Sequence, residues 1–160
     1  MATKKLILGI IILAIGVLVY WLVLPLFITT KVDEKLSELP NQAVGSVVMA
    51  RGNFVDGAPG HYASGEVVLL KQADGSYAVR FEDDFKVTNG PDLFVYLGRD
   101  GKYDKVANLG QLKGSEGGQN YLVPAEIVVE DYNEVYVWCR AFSVEFGSAK
   151  LVQVPDLLDQ

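Results

Sequence analysis

The sequence predicts an all-β fold, an antiparallel β-sandwich or flattened barrel, carried behind one N-terminal transmembrane helix. Three observations lead there. A run of 23 uncharged residues, Leu6 to Ile28, follows the basic pair Lys4 and Lys5. After residue 42, short β-branched and aromatic runs recur between glycine-bearing turns. No long helical period appears in that part of the chain.

At the helical rise, the apolar run reaches roughly 34 Å, enough to cross a hydrocarbon core of about 30 Å with some tilt. A cleaved signal peptide would have a shorter apolar core of about 7–15 residues and small residues at its end. Here TTKVDEK follows the run, so residues 1–28 read as an uncleaved signal-anchor contacting the lipid bilayer through Leu6–Ile28. Lys4 and Lys5 favour a cytoplasmic N-terminus, placing the remainder in the extracytoplasmic space at the cell membrane. The span has no small-xxx-small pair and offers no recognisable dimerisation face.

Residues 29–42 read as a polar stalk. Val32, Leu36 and Leu39 fall at helical spacing, which allows a short amphipathic helix ending before Pro40. Residues 43–160 suffice for one domain. The chain's 14 basic side chains, less Lys4 and Lys5, leave 12 against 20 acidic ones, a net charge of −8. That balance disfavours nucleic acid as a partner. A single cysteine precludes an internal disulfide.

Within the domain, GEVVLLK and SYAVRFE form a hairpin through Asp74-Gly75. In its second arm Tyr77, Val79 and Phe81 share one face, with Ala78 and Arg80 on the other. LFVYLG (93–98) is apolar on both faces, as a covered strand requires. Asp100-Gly101 is a second turn, and GSEGG (114–118) reads as a flexible loop. QNYLVP, EIVVE and EVYVWCR follow as further strands. In the last, Val135, Val137 and Cys139 take one face; Tyr136, Trp138 and Arg140 take the other. In FSVEFGSAKL the apolar parity places Phe142, Val144 and Phe146 together, then flips at Gly147, which predicts a bulge.

The inventory excludes much chemistry. With one histidine, His61, and no G-x-S-x-G, the usual hydrolase arrangements are absent. Phosphate loops, the blue-copper ligand set and the C-x-x-C-H haem attachment are missing as well. No hydrolase or transferase motif marks the chain as an enzyme. Two candidates remain. Cys139 is either a small buried hydrophobe or a functional thiol, redox-active or ligating haem iron. His61, in the glycine-rich GAPGHYASG, is either a loop histidine bonded to backbone or an auxiliary ligand. Arg140 neighbours Cys139 but points away from it. Asp83 and Asp84 in FEDDF read as turn residues, and Asp92 as a partner of nearby backbone amides.

In order, the segments GNF, GHYASGEVVLL, YAVRFEDDFKVTNGPDLFVYL, LGQLKGSEGGQNYLVP and VYVWCRAFSVEFGSAKL resemble the DM-thirteen domain of Skeletor-type cell-surface proteins and many bacterial membrane proteins. The resemblance covers roughly residues 50–152. Its specific pieces are GPDL-x-VYL, LKG-x-x-G-x-Q-x-Y-x-x-P and WC-x-x-F. It implies an electron-transfer module whose characteristic cysteine corresponds to Cys139, acting as a redox thiol or binding haem, with a redox partner in the envelope. The alternative is a cell-surface binding or adhesion module with a purely structural cysteine.

Overall fold

The structure, a computed structural model, describes residues 2–23, 28–39 and 45–154. Helix α1 (Ala2–Val23) is long and apolar enough to cross a membrane. Its described side chains are exposed, as those of a helix awaiting an apolar solvent would be. The predicted span runs on to Ile28, and residues 24–27 of it lie outside the described residues.

Among the described residues eleven strands follow: β1 (Val47–Asp56), β2 (Ala63–Ser64), β3 (Glu66–Lys71), β4 (Tyr77–Phe81), β5 (Lys86–Val87), β6 (Leu93–Arg99), β7 (Lys102–Gln111), β8 (Gln119–Leu122), β9 (Glu134–Cys139), β10 (Val144–Lys150) and β11 (Val152–Gln153). The main antiparallel sheet has the order β7-β6-β9-β10-β1-β3-β4-β8, with β11 also on β1. It curls into a nearly closed, barrel-like sheet, while β2 and β5 pair separately.

Both predicted tight turns are present. Lys71 pairs with Tyr77 across the β3–β4 turn, where Gly75 has φ 85°. Arg99 pairs with Lys102 across Asp100 and Gly101, whose φ values are 55° and 73°. Two consecutive positive φ values match the right-handed twist of a two-residue hairpin. The predicted faces of β4 also separate: Val79 and Phe81 enter the main core, whereas Ala78 packs outside it with Val68, Leu70 and Leu39.

The main core lies inside the curl. Phe54, Phe81 and Phe85 meet with ring centroids 4.5–5.1 Å apart, and Phe81 also meets Tyr121 at 5.2 Å. Edge-on and tilted pairs of this kind each add about 0.5–1.5 kcal/mol beyond area burial.

Four segments differ from the sequence expectation. EIVVE is not a strand: Val129–Asp131 form a 3-10 turn, and Ile127 N–H donates to Pro124 O at 3.0 Å. β-Branched residues there find local turn bonds rather than a strand partner. The strand of FSVEFGSAKL begins only at Val144, and Phe142 lies exposed in the preceding turn, where Ser143 has φ 52°. GSEGG is packed rather than loose, with Gly114, Ser115, Gly117 and Gly118 all buried. Finally, the chain from Val32 to Lys35 runs extended, and helical geometry is limited to the 3-10 turn Leu36–Glu38.

The last two differences have one cause. Val32 N–H donates to Glu116 O at 2.9 Å, Glu116 N–H to Thr30 O at 3.2 Å, and Glu34 N–H to Gly118 O at 3.0 Å. A Cβ on Gly114 would collide with Thr30 O, and one on Gly117 with Val32 O. The glycines are therefore there for close approach of two backbones, not for looseness.

Arg80 completes the joint. Its side chain is 5 % exposed, and its guanidinium donates to Glu34 O, Asn120 Oδ1, Glu82 Oε2 and Asp83 Oδ1 at 2.9–3.0 Å. Lys113 Nζ meets both Glu34 carboxylate oxygens at 2.8 Å. Burial opposes the Glu34 charge, but the bonds from Lys113 and from Asn120 N–H outweigh it and hold the carboxyl below its usual range.

Candidate functional site

Cys139 is the last residue of β9. It pairs with Val144 at the start of β10 and with Leu93 at the start of β6. Three strands thus end together at this position. The alternation read from the sequence holds here: Val135, Val137 and Cys139 all face the core at 0 % exposure. The thiol is free and fully buried.

Arg140 takes the other face and closes the end of the ladder from outside. Its N–H donates to Asp92 O at 3.0 Å. Its guanidinium meets both Asp92 carboxylate oxygens at 3.1 and 3.2 Å and lies 3.4 Å from the centre of the Phe94 ring. The Asp92 bond raises the Arg140 pKa further. Asp92 thus accepts through both its backbone and its side chain from one residue, so GPDL and WC-x-x-F, far apart in the sequence, form one latch. Sequence reading gave Asp92 to the backbone alone and set Arg140 aside; the pairing becomes visible only once β6 lies beside β9.

The same outer face carries an aromatic row. Trp138 stacks on Tyr103 at 4.2 Å, and Tyr103 meets Tyr96 at 5.0 Å. Tyr136 is buried beside them, and burial, with the hydrogen bond it donates to Glu134, pushes its hydroxyl pKa upwards.

His61 lies in the turn before β2. Its N–H donates to Ala58 O at 2.9 Å, and its carbonyl accepts from Gly57 N–H at 3.2 Å. The ring stacks on Phe146 at 3.9 Å, and its Nδ1 is buried with no hydrogen-bond partner. Phe146 is the extra residue of the predicted bulge, between the pairs Glu145–Trp138 and Gly147–Val137. Its ring and the Leu93 side chain both close over Gly90, where any Cβ would strike them at 2.8 Å. His61 thus packs on Phe146, whereas Cys139 pairs with Val144 and Leu93.

This arrangement does not fit haem ligated by Cys139 and His61. Axial ligation needs space for the macrocycle against the sulfur, and Cys139 is closed in by Val137, Leu93 and their neighbours. Among the described residues, no group of three or more His, Cys, Asp and Glu side chains could hold a metal ion. FEDDF is a turn as predicted: Phe85 N–H donates to Glu82 O, and Asp84 Oδ1 accepts from Glu66 N–H.

Ordered strands, one inward cysteine beside an outward tryptophan, and the Asp92 latch define a small, barrel-like β module. Residues 53–151 match the family model described as electron transfer DM13, and the chain belongs to that family. No curated protein and no solved structure matches the chain.

Proposed function

We propose that this protein is a membrane-anchored electron-transfer module whose redox group is the Cys139 thiol. Residues 1–28 act as a signal-anchor, with the N-terminus cytoplasmic and the β domain extracytoplasmic. The observation that carries the reading is the position of Cys139, in an electron-transfer family domain, at a point where three strands end. A thiol in mid-sheet would need the sheet to come apart. At a ladder end, it needs only the terminal pairs to part.

With one cysteine in the chain, the oxidised form is a mixed disulfide with an envelope partner. The Cys139 thiolate attacks the disulfide of an envelope acceptor, and one acceptor sulfur leaves as thiolate. A thiolate of a second envelope protein, a dithiol donor, then attacks Cys139 Sγ and releases the acceptor as a dithiol; the donor's other thiol displaces Cys139, so that two electrons pass from donor dithiol to acceptor disulfide and Cys139 returns as the thiol.

The test is Cys139→Ser in the full-length chain in membranes. Serine adds a buried hydroxyl, which costs about 1–3 kcal/mol, so exchange with a disulfide-bearing electron acceptor is scored per folded molecule. The account expects exchange to vanish while the domain stays folded. Full exchange by folded Cys139→Ser would refute it. A reporter after Gln160 should be exported and stay with membranes through an alkaline wash; release of a product lacking residues 1–28 would remove the anchor.

A second reading is supported by the complete burial of Cys139: a cell-surface binding module in which the cysteine only packs. It predicts no exchange in either protein.

A further inference from the structure

The chain that leaves the apolar run is fastened to the domain from its first residues. Asn89 Nδ2 lies 3.5 Å from Thr29 Oγ1, one residue beyond Ile28. Thr30 O accepts from Glu116 N–H, Val32 N–H donates to Glu116 O, and Glu34 N–H donates to Gly118 O. Lys35 O then accepts from Asn120 Nδ2 at 3.0 Å, and Leu39 packs with Val68, Leu70 and Ala78. Gln119 pairs with Phe81 and Leu122 with Ala78. These contacts therefore climb β8 and β4 in order, from the Phe81 end towards the β3–β4 turn at Gly75. A strap bonded at alternate residues has no slack.

The strap fixes which part of the domain meets the membrane. Two residues of chain reach at most about 7 Å, so Thr30 and its partner Glu116 stay close to the end of the apolar run. Ile28, Pro91 and Leu93 line one hollow, and Leu93 pairs with Cys139, so the start of β6 and the end of β9 lie there too. Gly75 stands at the other extreme. The nearly extended chain from Phe81 to Gly75, mostly strand β4, covers about 20 Å. We propose that the domain stands upright on the bilayer, with residues 89–91 and the Cys139 end of β9 beside the lipid headgroups and the Gly75 turn directed away. The inference rests on the anchored reading and deepens it, because the thiol would then meet acceptor disulfides held close to the membrane.

The experiment uses the full-length chain in phosphatidylcholine nanodiscs that contain a trace of gadolinium-chelating lipid. The readout is the paramagnetic relaxation enhancement of backbone amides, which falls steeply with distance from the headgroups. Over a separation of about 20 Å, enhancement at Asn89, Gly90 and Arg140 should exceed that at Gly75 and Ser76 by about tenfold or more. A twelve-residue Gly-Ser linker inserted between Ile28 and Thr29 has an r.m.s. length of about 19 Å and should bring the two sets within about twofold. The amide spectrum of the domain should not change with that insertion. Equal enhancement of the two sets in the native chain, or the reverse order, would overturn the proposal. So would the full gradient persisting in the linker variant, since the seating would then come from the domain surface and not from the strap. Membrane retention through an alkaline wash is scored in parallel on cells producing the native chain. Retained chain without a gradient defeats this inference alone; release of a product lacking residues 1–28 defeats the anchored reading itself.

Discussion

Two regions of the β domain, linked through Leu112 and Lys113, bury different things and close differently. At one, the Arg80 cation is fixed by four acceptors and ties β4, β8 and the 30–39 segment together. At the other, Cys139 sits among valines and Leu93, and the closure is an exposed Asp92–Arg140 pair resting on Phe94. A buried charge held by four hydrogen bonds is costly to disturb, because any opening strands it. An apolar thiol behind an exposed ion pair carries no such penalty; exposed pairs are worth about 0–1 kcal/mol. Local opening beside the thiol should therefore cost less than opening the Arg80 joint.

The largest effect should come from Arg80→Met. It leaves Asn120, Glu82 and the Glu34 carbonyl without their donor, and should cost about 3 kcal/mol, the low end for breaking a buried pair because Asp83 is solvent-facing. Denaturant midpoints at constant slope would measure it. A loss below about 1 kcal/mol would mean that the joint is ornamental.

Acid should loosen the same joint. The Glu34 carboxyl sits below its usual range when folded, so its contribution is complete above the ordinary carboxylate pKa and is lost as pH falls through the lower folded value. Amide exchange of Val32 and Glu34 should therefore accelerate in acid before that of β9, beyond the intrinsic pH dependence. Glu34→Gln should remove the difference.

The smallest effect on stability, and the most informative for function, belongs to Arg140→Ala. Global stability should change little, because solvent screens the exposed pair, while Cys139 labelling by a small disulfide reagent should speed up several-fold. Unchanged labelling would show that the latch does not govern access.

Much of this architecture was legible in the sequence because it depends on neighbours along the chain. The β3–β4 and β6–β7 turns announce themselves through Asp-Gly pairs, and the bulge at Phe146 through a change in apolar parity. The alternating face of β9 placed Cys139 inward and Trp138 outward correctly. What was missed depends on partners distant in sequence. Strands β1 and β7 carry Arg51, Gly52, Asn53, Lys105 and Asn108 among their apolar residues, so neither reads as a strand until its neighbours are known. The glycines of GSEGG suggest looseness, yet their role is to admit the 30–34 backbone. The site was half legible. Cys139 followed from inventory and resemblance, whereas the Asp92–Arg140 latch exists only in three dimensions.

The central claim is that Cys139 becomes reachable by local opening while the Arg80 joint stays closed. The most direct measurement is the exchange rate of Cys139 with a small disulfide reagent in the folded full-length chain, compared between native protein and Arg80→Met. Local opening predicts rates equal within about twofold despite the large difference in global stability. If Cys139 is exposed only by global unfolding, the same loss of about 3 kcal/mol would raise the rate by about 100-fold, and that result would contradict the account.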